Sequence, residues 1–423
     1  MYNRLITIYI VILGFIIPLS GYAQPKYEIR ATWLTTLGGL DWPSHKATSA
    51  KTIELQKQEL CKTLDALKRA NFNTVLFQTR LRGDVIYPSA IEQFTESLTG
   101  HEGGNPNYDP LKFAIEECHR RGMELHAWIV TIPIGNTRQV KLLGKKSVTR
   151  KQLYKGTWYL DPGNPQTDNY LASIVREIVS RYDIDGIHLD YIRYPERASD
   201  FPDQSTYRKY GKKESLQQWR RNNITRIVRR IYTETKSLKP WVKVSSSPVG
   251  KYNDTKRYPS RGWNAYEVVY QDALQWLKEG IHDALFPMMY FQGNHFYPFA
   301  LDWQENKNGR WIVPGLGIYF LHPKEQNWQL DEVVRQISFL RNIKLDGQAY
   351  FRNRFLVDNT KGVFDELKEH FYTQPAAIPA MTWIDSIAPS VPANPVFIPL
   401  DKGVKLSWNA STDNSSVPVY YRI

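Results

Sequence analysis

The sequence predicts an α/β protein built as a (β/α)8 TIM barrel with a short C-terminal β-rich extension. Short apolar segments rich in β-forming residues alternate with helical patterns, which is typical of a parallel sheet. Eight such segments fit into about 350 residues, the size of a closed barrel. An open doubly wound sheet is the alternative, but no glycine-rich phosphate loop follows the first segment.

The first 23 residues read as a secretory signal peptide. Arg4 precedes an apolar run over 5–19, and Gly21, Tyr22 and Ala23 form a small-x-small cleavage pattern. An uncleaved anchor is the alternative, although the run is shorter than the roughly 20 residues that span a bilayer. We therefore expect an exported protein, periplasmic or at the cell surface, with no stable membrane anchor after cleavage.

The barrel is predicted over 28–372, and its first half alternates regularly. The segment ATWLTT at 31–36 precedes a helix whose apolar residues recur at helical spacing, with Leu60, Leu64 and Leu67 on one face. The strand at 74–80 precedes a helix at 111–121, which Gly122 ends. Strands at 124–130 and 186–192 follow, with a helix at 167–181 between them.

The second half of the predicted barrel continues the alternation. A long helical pattern and a β-rich segment come first, followed by a shorter helix and the segment ALFPMMY. The remaining strands and helices are predicted at 216–238 (helix), 242–247 (strand), 273–279 (helix), 284–290 (strand), 311–319 (strand), 330–341 (helix) and 347–351 (strand).

The composition of the chain changes after residue 372. Residues 373–395 are rich in proline and are predicted to be a linker. Residues 396–423 show alternating strand patterns and resemble the first strands of a fibronectin type III domain, but stop well short of the ~100 residues of that sandwich. A β-extension packed on the barrel is the alternative.

Composition narrows the class of partner. The formal net charge is +13, which favours an anionic partner. Nucleic acid is not expected, because the chain is predicted to be exported and its basic residues are scattered. An acidic polysaccharide fits better, and 13 Trp and 26 Tyr supply flat faces for sugar rings. Cys61 and Cys118 both lie in helical patterns; two buried thiols are the simpler expectation, and a disulfide is left open.

The segment DIDGIHLDYIRYP indicates where the chemistry lies. Side chains alternate along a strand, so His188 and Asp190 point into the barrel while Tyr191 turns toward the helices. Asp190 then stands at the carboxyl end of its strand, where barrel enzymes carry their catalytic groups. A buried carboxylate is costly unless it is paired or used, so a structural ion pair with a nearby arginine is the alternative.

Other strand ends carry polar or aromatic residues too. Gln78 and Arg80 are expected to share a face, as are His126 and Trp128, and Tyr290 ends a later strand. Such a polar, aromatic and carboxylate-bearing mouth has the character of a sugar site. An inward histidine can equally be an ordinary core residue.

A metal site is the rival chemistry for this mouth, since His126, His188 and Asp190 could form a set of two histidines and one carboxylate. No HxH or HExxH pattern occurs, and we expect neither metal nor cofactor.

Hydrolysis of a glycosidic bond needs a second carboxyl group beside the first. Asp84 is favoured, then Glu196, and Asp41 and Asp302 are further loop candidates.

Six ordered blocks resemble the exported glycosyl hydrolase-like proteins related to family ten. The blocks are EIRATWLTT, NFNTVLFQTRLRGDVIYPS, DPLKFAIEECHRRGMELHAWI, YDIDGIHLDYIRYP, DALQWLKEGIHDALFPMMYF and DGQAYF. The resemblance covers about residues 28–372 and implies a TIM-barrel glycoside hydrolase. It implies bacterial cell-wall glycan as the substrate, including peptidoglycan strands stripped of stem peptides.

The resemblance also implies site residues. Asp190 falls on the acidic motif of the fourth strand, and Arg193 and Tyr194 begin a loop that could hold an acidic sugar. Many relatives carry a second aspartate where this chain has Tyr191, so a second catalytic group must come from elsewhere. A non-catalytic glycan-binding barrel and a glycosidase for dietary or host polysaccharide are the alternative functions.

Overall fold

The computed structural model describes residues 24–137, 140, 151–211, 213–260, 262–415, 419 and 421. The predicted signal peptide lies outside the described residues. Within the described part of the chain, no helix has both the length and the apolar character that crossing a bilayer requires.

Strands and helices alternate through most of the chain. In chain order the strands are β1 (Ile29–Leu34), β2 (Thr74–Arg80), β3 (Glu124–Val130), β4 (Pro133–Gly135), β5 (Lys151–Tyr154), β6 (Thr157–Leu160), β7 (Gly186–Asp190), β8 (Lys243–Ser246), β9 (Ala284–Leu285), β10 (Trp311–Ile312), β11 (Gly315–Leu316), β12 (Gly347–Tyr350), β13 (Ala393–Leu400) and β14 (Gly403–Asn409). The α-helices are α1 (Ala50–Arg69), α2 (Glu96–Thr99), α3 (Pro110–Arg120), α4 (Gln166–Arg181), α5 (Gln204–Tyr210), α6 (Leu216–Leu238), α7 (Ala265–Val268), α8 (Ala273–Lys278), α9 (Tyr297–Glu305), α10 (Leu330–Asn342), α11 (Asn353–Val357) and α12 (Val363–Glu366).

The parallel sheet closes into the predicted TIM barrel. Its hydrogen-bonded order is β10-β9-β8-β7-β3-β2-β1-β12-β11. Strands β10 and β11 are two parts of one barrel strand: β10 pairs with β9 and β11 pairs with β12, which joins the two edges. The amide of Gly315 also donates to the carbonyl of Pro287 at 2.8 Å, which continues the seam.

Proline explains why two barrel strands are shorter than predicted. Pro287 ends β9 early, and Pro314 separates β10 from β11. Because proline has no N–H to give to the ladder, each one interrupts regular pairing. The strands predicted at 284–290 and 311–319 therefore shorten, without a change in the path of the chain.

Local sequence signals set the helix starts. Ser49 and Ser215 cap α1 and α6, each accepting a hydrogen bond from a backbone amide in the first turn. Asp109 caps α3, and Pro110 occupies its first position, where the missing N–H costs nothing. Such caps typically stabilise a helix by about 1 kcal/mol each.

Two hydrophobic layers hold the barrel. The outer layer lies between strands and helices and includes Leu60, Leu64 and Leu67 of α1, the predicted apolar face. The inner layer fills the barrel with side chains such as Trp33 and Phe286. Complete burial of one such large apolar side chain contributes about 1.5–3 kcal/mol, so the filled barrel is a rigid support for the groups at its rim.

The amino-terminal end of the barrel is covered by the start of the Pro-rich segment. The amide of Glu28 donates to the carbonyl of Ala377, and the amide of Ala377 donates to that of Lys26, each at 2.9 Å. Trp383 packs on Trp311 and donates from Nε1 to Asp283 at 2.9 Å. The first residues of the predicted linker thus pack beneath the barrel.

Two smaller sheets complete the fold. After β3, strands β4, β6 and β5 form an antiparallel sheet. Strands β13 and β14 form an antiparallel hairpin in the tail, and β13 is exposed along its whole length. The assignment of this tail to a fibronectin type III domain stays a prediction. Cys61 and Cys118 are free thiols.

Candidate functional site

A cleft of about 1410 Å³ opens at the carboxyl ends of the barrel strands. Several separate strands or the residues just after them contribute to its floor. Its floor residues include Trp33 from β1, Gln78 from β2, Trp128 from β3, Asp190 from β7 and Ser247 after β8. The cleft therefore lies where TIM barrels carry their active sites.

Asp190 is the buried carboxyl group of this floor, with 7% of its surface exposed. Its Oδ2 accepts a hydrogen bond from Trp128 Nε1 at 3.0 Å. Its Oδ1 accepts from Ser247 Oγ at 3.0 Å and from the Tyr191 amide at 2.7 Å. Burial raises the pKa of Asp190 above the ordinary 3.8, although these hydrogen bonds and the Arg193 charge oppose the shift. A carboxyl group with a raised pKa at the rim of a barrel is suited to act as a general acid.

Tyr191 does not follow the predicted alternation. Its φ is 50°, in the left-handed region that a tyrosine rarely adopts. Strand β7 therefore ends at Asp190, and the Tyr191 ring lines the cleft instead of packing under the helices. The prediction for Tyr191 is wrong because strand alternation stops where the backbone leaves the extended conformation. Strained backbone of this kind is concentrated at functional sites.

Aromatic rings make up much of the cleft wall. Tyr290 stacks on Phe351 with ring centroids 5.5 Å apart, and Tyr319 packs edge-on against both. Burial, together with the Asp190 carboxylate, raises the pKa of Tyr290 well above 10.0, so its hydroxyl stays protonated and able to donate. The rings give flat faces beside an acid and a hydroxyl donor, the combination that a sugar ring needs.

The charged residues of the cleft are mostly basic. Among the described lining residues are five cations and two carboxyl groups: Arg82, Lys155, Arg193, Arg197 and Arg352, against Asp190 and Glu196. The Glu196 side chain is 69% exposed and lies 4.0 Å from Arg193 Nη2. Within the described chain, Glu196 is thus the second carboxyl group that faces the cleft.

A β-bulge separates two residues that were predicted to share a face. The pairing of β2 with β3 shifts register between Gln78 and Arg80. Gln78 faces the cleft and its Oε1 accepts from Thr35 Oγ1 at 2.6 Å, which fixes the loop after β1. Arg80 turns away from the cleft and forms a buried fork to Glu92 at 2.7 and 2.8 Å. The extra residue of a bulge reverses the facing of the next residues in the strand.

The loop carboxylates proposed from the sequence have different positions. Asp84 is buried away from the described cleft lining and accepts from the Arg82 amide at 2.8 Å. Asp41 pairs with Arg352, and Asp302 lies in α9; the described lining contains neither. Burial raises the pKa of all three carboxyl groups.

The two predicted histidines lie below the rim. Trp33 Nε1 donates to His188 Nε2 at 3.1 Å, so the proton of the neutral ring lies on Nδ1, which donates to Ser245 Oγ at 3.0 Å. Burial lowers the pKa of His188 well below 6.5. His126 Nε2 lies 3.1 Å from Oε2 of Glu124, the first residue of β3, toward the amino-terminal end of the barrel. Both nitrogens of His188 are occupied, and no metal-binding cluster of acids, histidines and cysteines occurs in the described chain.

The segment after Asp190 divides its residues between cleft and core. The Tyr194 ring is fully buried against Phe201 and Tyr270, with centroids 5.3 and 5.4 Å away. Arg193 lies at the cleft, with its guanidinium between the rings of Tyr191 and Trp263. Both predicted binding residues belong to the described lining of the cleft, although the Tyr194 side chain is buried.

Sequence reasoning missed several lining residues. Ser247 ends a predicted strand, so the same strand-end test that selected Asp190 was able to find it. Arg82, two residues before the favoured Asp84, was not predicted to line the cleft. Trp263 lies in a loop between β8 and α7, and no local pattern singles it out.

Comparisons with known proteins agree with this geometry. The sequence pattern of the family described as Glycosyl hydrolase-like 10 matches residues 28–319. The protein named glycosyl hydrolase YngK of Bacillus subtilis (strain 168) is 34% identical over 400 residues, which cover 89% of this chain and 78% of that relative. Glycosyl hydrolase DigH of Escherichia coli (strain K12) is 34% identical over 292 residues, 63% of this chain and 66% of that relative.

Solved structures share the fold at low identity. The glycoside hydrolase domain of PgaB (BpsB) from Bordetella bronchiseptica has a TM-score of 0.57 at 13% identity, covering 82% of this chain and 99% of that one. The catalytic domain of the Paenibacillus polymyxa beta-amylase has a TM-score of 0.54 at 12% identity, covering 83% and 99%.

Proposed function

The chain belongs to the glycosyl hydrolase-like 10 family, and we propose that it cleaves glycosidic bonds in bacterial cell-wall glycan with Asp190 as its catalytic acid. Its family and its relatives named glycosyl hydrolases make it a glycoside hydrolase acting on a polysaccharide. The observation that carries the catalytic proposal is the buried Asp190 carboxyl group, with its raised pKa, at the floor of an aromatic cleft.

In this proposal Asp190 donates its proton to the oxygen of the leaving sugar. Trp128 and Ser247 hold the carboxyl group in a fixed orientation. Little rotational entropy of this group is therefore lost when the reacting geometry forms. Tyr290, whose hydroxyl stays protonated, is placed to donate to the sugar near the same carboxyl group. General acid catalysis of this kind typically contributes 10²–10⁴-fold.

The second carboxyl group of the proposed mechanism is Glu196. It faces the cleft, its side chain is 69% exposed, and Arg193 Nη2 lies 4.0 Å away. In glycoside hydrolysis the second carboxyl group activates water or attacks the sugar, while the first supplies the proton. Asp84, which the sequence favoured for this part, is held by the Arg82 amide and supports the loop.

The proposed substrate is a cell-wall glycan, and peptidoglycan strands are the specific candidate. Excess positive charge among the described lining residues suits a strand that carries carboxylates. The signal-peptide pattern of residues 1–23 suits the compartment in which that strand occurs. Mass spectrometry of the mature N-terminus of the secreted protein tests the export part of the proposal.

The test is product analysis with wild type and Asp190→Asn on peptidoglycan strands, with and without stem peptides. We expect shortened glycans from wild type and a 10²–10⁴-fold loss of turnover in the variant, with the fold retained. Asp183→Asn is the matched control, because this exposed aspartate precedes the same strand at its opposite end, outside the described cleft lining. An Asp190→Asn protein with full activity excludes the proposed acid, and binding without products from wild type points to a glycan-binding barrel.

A further inference from the structure

The Arg193 guanidinium is held in one orientation at the wall of the cleft. The Tyr191 ring lies 4.6 Å from its centre and the Trp263 ring 5.6 Å. The Tyr191 backbone at this position is left-handed, with φ of 50°. Tyr191, the residue directly after Asp190, thus forms one side of an aromatic clamp on an arginine.

One edge of this guanidinium lacks a close partner. Nη1 donates to the Tyr194 carbonyl at 3.4 Å, but Nε has no hydrogen-bond acceptor among the described residues. Nη2, on the same edge as Nε, has the Glu196 carboxylate only at 4.0 Å. Arg193 as a whole is 4% exposed. A buried N–H group without an acceptor is a cost to the folded protein, and buried donors are nearly always satisfied.

The Nε and Nη2 edge of an arginine has the spacing of the two oxygens of a carboxylate. The two rings that cover the guanidinium are themselves partly exposed, Tyr191 at 38% and Trp263 at 37%, and both line the cleft. Arg82 adds charge to the same wall: both arginines lie close enough to Tyr191 to counter the rise in the pKa of its phenol that burial and Asp190 produce.

We propose that Tyr191, Arg193 and Trp263 form a subsite for a carboxylate carried by the sugar itself, so that the enzyme selects acidic over neutral glycan. The inference rests on the proposed function and adds which substrate group is recognised and by which atoms. The carboxylate binds across Nε and Nη2 of Arg193, and an adjacent sugar ring packs on Trp263.

The test compares two forms of one polymer. Peptidoglycan strands without stem peptides carry a free carboxylate on alternate sugars, and the same strands with these carboxyl groups reduced to alcohols differ in that group alone. We expect wild type to show a kcat/KM ten- to hundredfold higher on the acidic strand, the size of effect that a charge-assisted hydrogen bond gives. In Arg193→Gln this ratio falls to near one, because activity on the acidic strand drops to that on the reduced strand.

Two variants separate the subsite from other roles. Arg193→Lys keeps the charge without the planar fork, so it restores only part of the ratio. Arg208→Gln is the control, since Arg208 is exposed on α5, outside the described lining of the cleft. Arg193 also opposes the rise that burial causes in the pKa of Asp190. An effect of Arg193 that acted only through the pKa of Asp190 would move the pH profile on both strands alike and would leave the ratio of kcat/KM between them unchanged.

The outcomes are distinct. An equal loss on both strands in Arg193→Gln overturns the subsite and makes Arg193 a positioning residue for Asp190. Equal wild-type activity on both strands also overturns it. Absence of turnover on either strand rejects the proposed function; calorimetric binding of the two strands to wild type then still decides whether the carboxylate is recognised.

Discussion

At the scale of single residues, the environment of Asp190 sets its chemistry. Burial raises the pKa of Asp190, and this effect outweighs three hydrogen-bond donors that favour the ionised form. Asp185, five residues earlier, is bound by His119 at 2.8 Å and by the Leu125 amide at 2.8 Å. Asp185, just before strand β7, thus has a structural position, whereas Asp190 at the end of β7 has the proposed catalytic one.

The raised pKa of Asp190 predicts the alkaline limb of the pH–rate profile. A general acid works only while protonated, so log kcat/KM should fall by about one per pH unit once the pH exceeds the pKa of Asp190. Because burial raises that pKa above 3.8, the limb should lie above 3.8. A profile of kcat/KM on peptidoglycan strands measures it, and a profile that stays flat toward alkaline pH contradicts an acid role for Asp190.

Glu196 and Asp84 give a second prediction at this scale. Glu196→Gln should lower kcat by about 10²–10³-fold, because it removes the second carboxylate facing the cleft. Asp84→Asn should leave turnover close to wild type and lower Tm, because it changes a buried group that holds the Arg82 amide. Steady-state kinetics and thermal unfolding of both variants decide, and the reverse ranking returns the catalytic part to Asp84.

At the scale of elements, the barrel strands begin in a layer of charged residues and end at the cleft. Glu124 starts β3 and Lys243 starts β8, and Lys243 Nζ donates to Glu124 Oε1 at 2.8 Å. Although burial by itself raises the pKa of Glu124, the Lys243 ammonium and a hydrogen bond from His126 lower it to about 2. Charges at this end hold the strands in register and lie away from the reaction.

This layer predicts a pH-dependent contribution to stability. A carboxyl group whose pKa is lower in the folded state stabilises the fold above its unfolded pKa of 4.5 and loses that effect as the pH falls toward 2. Glu124→Gln should therefore lower Tm at pH 7, and the difference from wild type should shrink below pH 4.5. Calorimetry across pH measures the difference; a Tm gap that is constant with pH would falsify the linkage.

At the scale of the whole molecule, a closed barrel carries an appended hairpin. The seam at β10 and β11 closes the sheet, and the segment from Ala377 to Trp383 covers its amino-terminal end. Strand β13 is exposed throughout. The chain beyond Trp383 therefore adds little buried surface to the barrel.

Two truncations test this division. Ending the chain after residue 386 should leave Tm and activity near those of the full chain, because β13 and β14 pair mainly with each other. Ending it after residue 376 should lower Tm by several degrees, because it removes the backbone bonds of Ala377 and the Trp383 bond to Asp283. Differential scanning calorimetry compares them, and equal Tm values would show that the cover contributes nothing.

The sequence by itself determined the eight-strand barrel and the place of Asp190 at the strand ends. Both depend on local patterns, the alternation of strand and helix signals and the two-residue period of a strand. Proline positions were visible too, and they account for the short β9 and the split between β10 and β11.

Only the tertiary structure decided which side chains share the cleft. The bulge at Gln78 and Arg80 and the left-handed backbone of Tyr191 each interrupt a period that the sequence analysis assumed to continue. Trp263 comes from a loop far along the chain from Arg193, and its approach to Arg193 depends on how that loop folds over the rim. A local pattern holds information on the facing of regular strands, whereas the meeting of loops depends on the packing of the whole barrel.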